Sequence, residues 1–69
     1  MKNYGEALKQ QRLLSGYTQE QVSNATGIAQ ANLSNWENDV YAPSIEFCII
    51  LADFYDISLD ELVGRDIHK

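Results

Sequence analysis

Between Gln30 and Asn35 the chain reads Gln-Ala-Asn-Leu-Ser-Asn, which sets three amides, a hydroxyl and a bare methyl around a single leucine. Each amide can give and take a hydrogen bond at once. Such a set is suited to recognition and not to bond breaking. Reactive side chains elsewhere are sparse: Cys48 is the one cysteine and His68 the one histidine of the 69 residues. Neither stands in a metal-ligand spacing, no glycine-rich stretch could cradle a phosphate, and no nucleophile has a base at a suggestive distance. The chain therefore reads as a non-enzyme that uses no cofactor, no metal and no small-molecule ligand.

The elements that must position these side chains can be argued residue by residue. Thr18 is an N-cap and Gln21 completes a T-x-x-Q capping box, so a helix starts at Gln19. Val22, Ala25 and Thr26 share one face of it, and Gly27 can end it in a left-handed conformation. Ile28, Leu33 and Trp36 supply the apolar stripe of a second helix, about residues 29–38, whose opposite face carries Gln30, Ala31, Asn32, Ser34 and Asn35. Two helices joined by a glycine-containing turn make a helix-turn-helix, whose second helix enters the DNA major groove. There, Gln and Asn amides pair with adenine N6 and N7, and a methyl packs on the methyl of thymine.

The segment Thr18-Gln19-Glu20-Gln21-Val22-Ser23, Gly27-Ile28, Leu33-Ser34 and Trp36-Glu37 resembles the helix-turn-helix of the phage repressor and Cro (XRE) family. The likeness extends through Ala42-Pro43-Ser44-Ile45-Glu46 and Leu51-Ala52-Asp53 to Ser58-Leu59-Asp60-Glu61-Leu62, and so covers nearly the whole chain. It implies an all-α fold, a compact five-helix bundle of the phage repressor DNA-binding domain type with the helix-turn-helix at helices two and three. It also implies a sequence-specific regulator of transcription that binds double-stranded DNA as a homodimer on a palindromic operator. Base contacts then fall to Gln30, Ala31, Asn32 and Asn35, and backbone contacts to Thr18, Gln19, Ser34 and Tyr41. Relatives set the glutamine corresponding to Gln30 against adenine and brace it with the one corresponding to Gln19, which also reaches a phosphate. They pair the arginine corresponding to Arg12 with the glutamate corresponding to Glu37, here expected as a partly buried ion pair.

Three departures from that pattern support a second reading, a protein-interaction module that keeps the fold without the DNA. Ala29 stands where relatives have Ser or Thr as N-cap. The loop of residues 38–42 holds Asp39, Val40 and Tyr41 where relatives carry a glycine and phosphate-binding cations. Tyr41 is left either to donate to a phosphate or to lie on the domain surface. Finally, the formal net charge is −5, against the basic footprint usual for a DNA binder. Most of the acidity lies beyond Pro43, in Glu46, Asp53, Asp56, Asp60, Glu61 and Asp66 against Arg65 and Lys69. The acidic end could thus point away from the reading face.

At 69 residues one domain is expected, burying only roughly 60% of its unfolded surface. A single cysteine excludes an internal disulfide, so packing or dimerisation must hold the fold. No apolar run has the length of a signal peptide or of a ~20-residue membrane span, and a cytoplasmic protein is expected. Residues 1–64 are read as the domain and 65–69 as a frayed tail.

The remaining helices follow from their caps. Asn3 with Glu6 can start a first helix that runs to about Ser15, with Tyr4, Ala7, Leu8 and Leu14 inward, Gln11 on the same side and Leu13 outside. Pro43 and Ser44 start a fourth, with Ile45, Cys48, Ile49, Leu51, Ala52 and Tyr55 as its broad apolar face. Phe47, Ile50 and Phe54 fall on the other side of it and are expected either to form a dimer interface or to pack under Tyr41 or helix five. Ser58 and Glu61 box a short fifth helix that Gly64 closes.

Overall fold

The computed structural model describes residues 4–65. Five helices follow one another: α1 Gly5–Leu14, α2 Gln19–Thr26, α3 Gln30–Glu37, α4 Ile45–Tyr55 and α5 Leu59–Val63. No strand occurs among the described residues. Helices α1 and α2 both pack on α3, α5 closes against α1 and α4, and α2 touches α4. Leu8, Val22, Ile28, Leu33, Trp36, Cys48, Leu51, Ala52 and Leu62 form one core, in which Val22 and Leu62 are wholly enclosed.

Local chemistry sets the helix boundaries. At α2 the Thr18 Oγ1 accepts from the Gln21 backbone N–H at 3.1 Å while the Thr18 N–H donates to Gln21 Oε1 at 2.9 Å. Ser58 and Glu61 repeat that box at α5, and the Ser44 hydroxyl caps α4. Gly27 takes the left-handed conformation, φ 81°, that ends α2. Thr26 then firms the corner: its hydroxyl donates to the Val22 carbonyl at 2.7 Å and accepts from the Ile28 N–H at 3.2 Å.

Helix α1 differs from its expected form at both ends. Its N-cap is Tyr4, which offers no side-chain bond. Asn3 lies outside the described residues, as do residues 66–69 of the expected tail, His68 included. Leu14, expected inside, is 79% exposed, and Tyr4 is exposed as well. The reason is that α1 turns Leu8 and Arg12 inward, four residues apart on one face, and Leu14 lies about 120° around from Leu8. An apolar side chain loses the inward position to an arginine with a partner. Arg65, assigned to the tail, donates its N–H to the Asp60 carbonyl at 2.8 Å.

Helix α4 is rotated relative to its expected setting. Cys48, Leu51 and Ala52 are buried and Tyr55 half-buried, but Ile45 and Ile49 are exposed. Phe47 and Phe54, expected on the outer face, lie half-buried against the core. Both share the Leu51 side of the helix, at i−4 and i+3, and both find aromatic neighbours there. Phe47 meets Trp36 at a ring-centroid distance of 5.2 Å, and Phe54 meets Tyr17 at 5.0 Å and Tyr55 at 5.2 Å. Aromatic packing thus draws the helix round and leaves Ile45, Ile49 and Ile50 outside with Glu46 and Asp53. Cys48 sits in the core with its Sγ 3.9 Å from the Pro43 carbonyl, and burial pushes its thiol pKa up, which suits an inert packing residue.

Candidate nucleic-acid interface

The exposed face of α3 is held from its C-terminal end. Glu37 accepts from Arg12 Nε at 2.8 Å and Nη2 at 3.0 Å, a two-point pairing, and its Oε1 also takes the Gln19 amide at 3.1 Å. Arg12 Nη1 donates to the Tyr17 carbonyl at 2.9 Å. The two charged side chains are only 10% and 6% exposed. The hydrogen bonds it donates to Glu37 hold the Arg12 guanidinium pKa above its ordinary value, against the opposing effect of burial. Burial and the nearby Glu37 charge push the Tyr55 phenol up to about 12, so it stays neutral beside the pair. One ion pair therefore joins α1, the start of α2 and the end of α3.

A second clasp closes the same end, through two residues the sequence reading did not single out as a pair. Asp39, in a left-handed backbone conformation at φ 61°, accepts the Gly5 N–H on Oδ1 at 2.9 Å. A carboxylate thereby satisfies one of the unpaired donors at the start of α1. Gly5 has to be glycine for a steric reason: a Cβ would come within 2.5 Å of the Glu37 carbonyl oxygen and 2.8 Å of that of Trp36. The sequence did hold a signal. The family resemblance implies a glycine in this loop, the natural residue for a left-handed position, and aspartate is among the few others that visit it.

The residues expected to read bases divide into two groups. Gln30 and Ala31 are exposed at the start of α3, where Ala29 is an N-cap without a side-chain bond. Asn32 and Asn35 are half-buried and both meet the Tyr41 hydroxyl, which donates to Asn32 Oδ1 at 3.0 Å and accepts from Asn35 Nδ2 at 3.2 Å. That hydroxyl has one proton, and it is committed to Asn32, so none remains for a phosphate in this arrangement.

Of the residues expected at the DNA backbone, Thr18 and Gln19 stand at the start of α2 and Ser34 in the middle of α3. Gln19 turns its amide nitrogen to Glu37 rather than to Gln30, and the Ser34 hydroxyl accepts from Asn38 Nδ2 at 3.4 Å. Among the described residues no group of carboxylate, imidazole and thiol side chains could hold a metal ion, and no helix is long and apolar enough to cross a membrane.

Comparison with known proteins decides the family, since the helix-turn-helix family model matches residues 8–62. The chain belongs to the helix-turn-helix family. That match begins inside α1 and ends inside α5, so the family unit is the whole bundle and not α2 and α3 alone. Among curated helix-turn-helix relatives, the transcriptional regulator ImmR of Bacillus subtilis is 37% identical over 62 residues, covering 90% of this chain and 49% of its own length. The cryptic phage CTXphi transcriptional repressor RstR of Vibrio cholerae is 35% identical over 60 residues, covering 87% of this chain and 54% of its own. The transcriptional regulator AnsR of Bacillus subtilis is 30% identical over 64 residues, 93% of this chain and 55% of its own. This chain spans about half the length of these relatives.

Proposed function

We propose that this chain is a sequence-specific reader of double-stranded DNA that regulates transcription, with the Gln30–Asn35 face of α3 in the major groove. The observation that carries it is a face of amides, open at Gln30 and half-buried at Asn32 and Asn35, on a helix whose far end is fixed by the buried Arg12–Glu37 pair. Amides on a rigid helix are what direct readout needs, and membership of a family whose relatives are named regulators and repressors supports it. Gln30, with Ala31 beside it, is the most accessible reader. Thr18 uses its hydroxyl as an acceptor inside the capping box, which leaves the hydroxyl proton for a phosphate; Gln19 and Ser34 border the same surface. The activity is binding in the cytoplasm, without catalysis.

Selection of sites from random duplex DNA at low salt tests this reading. A consensus is expected, and Gln30→Ala should cost ~1–3 kcal/mol on it and relax preference at one base pair per half-site. Equal loss on every sequence overturns the role of Gln30. The competing reading, a module that binds protein, draws on the net charge of −5 and on Asp39 being occupied as a clasp where relatives have loop cations. It predicts a selection without consensus.

The regulator is proposed to act as a homodimer on a palindromic site. Ile50 is 40% exposed, and Ile45 and Ile49 on the same outer side of α4 are more so, an apolar surface beside Glu46 and Asp53 that a second chain would cover. Two-fold pairing would set two α3 helices ~34 Å apart, one turn of DNA. Sedimentation across micromolar concentrations checks it: the wild type should associate and Ile50→Lys should not.

A further inference from the structure

Asn32 and Asn35 lie one turn apart on α3, and Tyr41 reaches back from the following loop to set its hydroxyl between them. A phenol has one proton to give and lone pairs to receive. Here the proton goes to the Asn32 oxygen at 3.0 Å and a lone pair takes the Asn35 nitrogen at 3.2 Å, both ordinary hydrogen-bond lengths. The oxygen and nitrogen of an amide occupy opposite arms of one plane. With its oxygen turned to the phenol, Asn32 shows the groove its NH2; with its nitrogen turned there, Asn35 shows its carbonyl.

We propose that Tyr41 is a positioning residue for base reading, coupling the two amides in opposite senses and, in the arrangement seen here, setting Asn32 as a hydrogen-bond donor and Asn35 as an acceptor toward the bases. The proposal rests on the DNA-reading function above and adds how two of its amides are set. Without the phenol each asparagine could turn either arm outward, and each would suit adenine through paired contacts. With it, Asn32 selects a base-edge acceptor, guanine O6 or N7, thymine O4 or adenine N7. Asn35 selects a base-edge amine, adenine N6 or cytosine N4. Gln30 takes no part in the bridge and keeps both arms for one adenine. The bridge also holds two rotatable side chains before DNA arrives, which removes part of the ordering cost of binding. Tyr41 is 48% exposed, so removing its hydroxyl empties no core site.

Tyr41→Phe isolates the hydroxyl. In site selection, preference at the base pairs faced by Asn32 and Asn35 should fall roughly three- to tenfold, as for the loss of a neutral hydrogen bond, while the base pair read by Gln30 keeps its preference. In the protein without DNA, side-chain amide resonances of Asn32 and Asn35 should shift in the variant and those of Gln30 stay, with the melting temperature nearly unchanged. A consensus identical to that of the wild type overturns the proposal. So does a uniform loss over all sequences, which would make Tyr41 a phosphate contact, and so do unmoved asparagine resonances. A wild type that selects no consensus sinks the DNA reading itself, whereas a wild-type consensus kept by Tyr41→Phe sinks only the bridge.

Discussion

The two ends of α3 are built in opposite ways. At its C-terminal end Glu37 is bound by Arg12 and Gln19, and Gly5 lies against the Trp36 and Glu37 carbonyls with its N–H taken by Asp39. At its N-terminal end Ala29 caps without a side-chain bond, and Gln30 and Ala31 stand in solvent. The difference teaches how a domain this small presents a surface. Charged and steric interlocks gathered at one end fix the helix axis, so the other end can carry polar side chains that owe nothing to packing.

The pinned end should fail first and hardest when a lone charge is left in it. Arg12→Met strands the Glu37 carboxylate at 6% exposure, a loss expected at about 3–5 kcal/mol. A 69-residue domain has a total stability of roughly 3–10 kcal/mol, so the variant should lose about a third of it or more, and its unfolding midpoint in denaturant titrations at 25 °C should fall in proportion. Arg12→Met with Glu37→Met leaves no charge behind and should recover much of the loss. A single variant as stable as the wild type would show that the pair contributes no more than a surface bridge.

Next in size is Gly5→Ala. The added methyl would meet two backbone carbonyl oxygens inside 3 Å, and neither can turn away as a side chain would. The start of α1 must shift, which also stretches the bond from Gly5 to Asp39. A cost of about 1–3 kcal/mol is expected, even though alanine is the better helix former, and thermal or chemical denaturation measures it. A neutral or stabilising result would mean that α1 moves aside freely and that this clasp is not part of the anchor.

What the sequence made legible follows from which interactions are local. The caps at Thr18, Ser44 and Ser58 and the left-handed ends at Gly27 and Gly64 involve residues within a few positions of each other, and chain order alone displays them. Resemblance supplied the expectation for Arg12 and Glu37, 25 residues apart. The Gly5–Asp39 clasp spans 34 residues and depends on two helix ends meeting, which no periodicity reveals. The setting of α4 was obscured because apolar residues surround most of that helix. With Phe47, Ile49 and Ile50 all apolar, hydropathy could not choose the inward arc, and aromatic contacts with Trp36 and Tyr17 did. In the reading face, amide types were plain in the sequence. Their orientation was not, since it is set by a tyrosine nine residues beyond Asn32.

The smallest effect should come from the open end of α3. Ala29 has an extended backbone, φ −59° and ψ 135°, the kind of setting from which a serine hydroxyl accepts from the second or third N–H of a helix. An N-cap serine is typically worth ~1 kcal/mol over alanine. Here the gain should be smaller, because the Asn32 N–H already donates to the Ala29 carbonyl at 3.0 Å and only improves on an existing bond. Ala29→Ser is therefore expected to stabilise by about 0.5 kcal/mol, which for a domain of this size raises the melting temperature by about 2–4 °C. Denaturation by heat reads this directly, and amide exchange at Ala31 and Asn32 should slow while exchange near Trp36 does not. A gain of several kcal/mol, or protection spreading to Trp36, would mean that the two ends act as one unit, and the contrast between a fixed end and an open one would be lost.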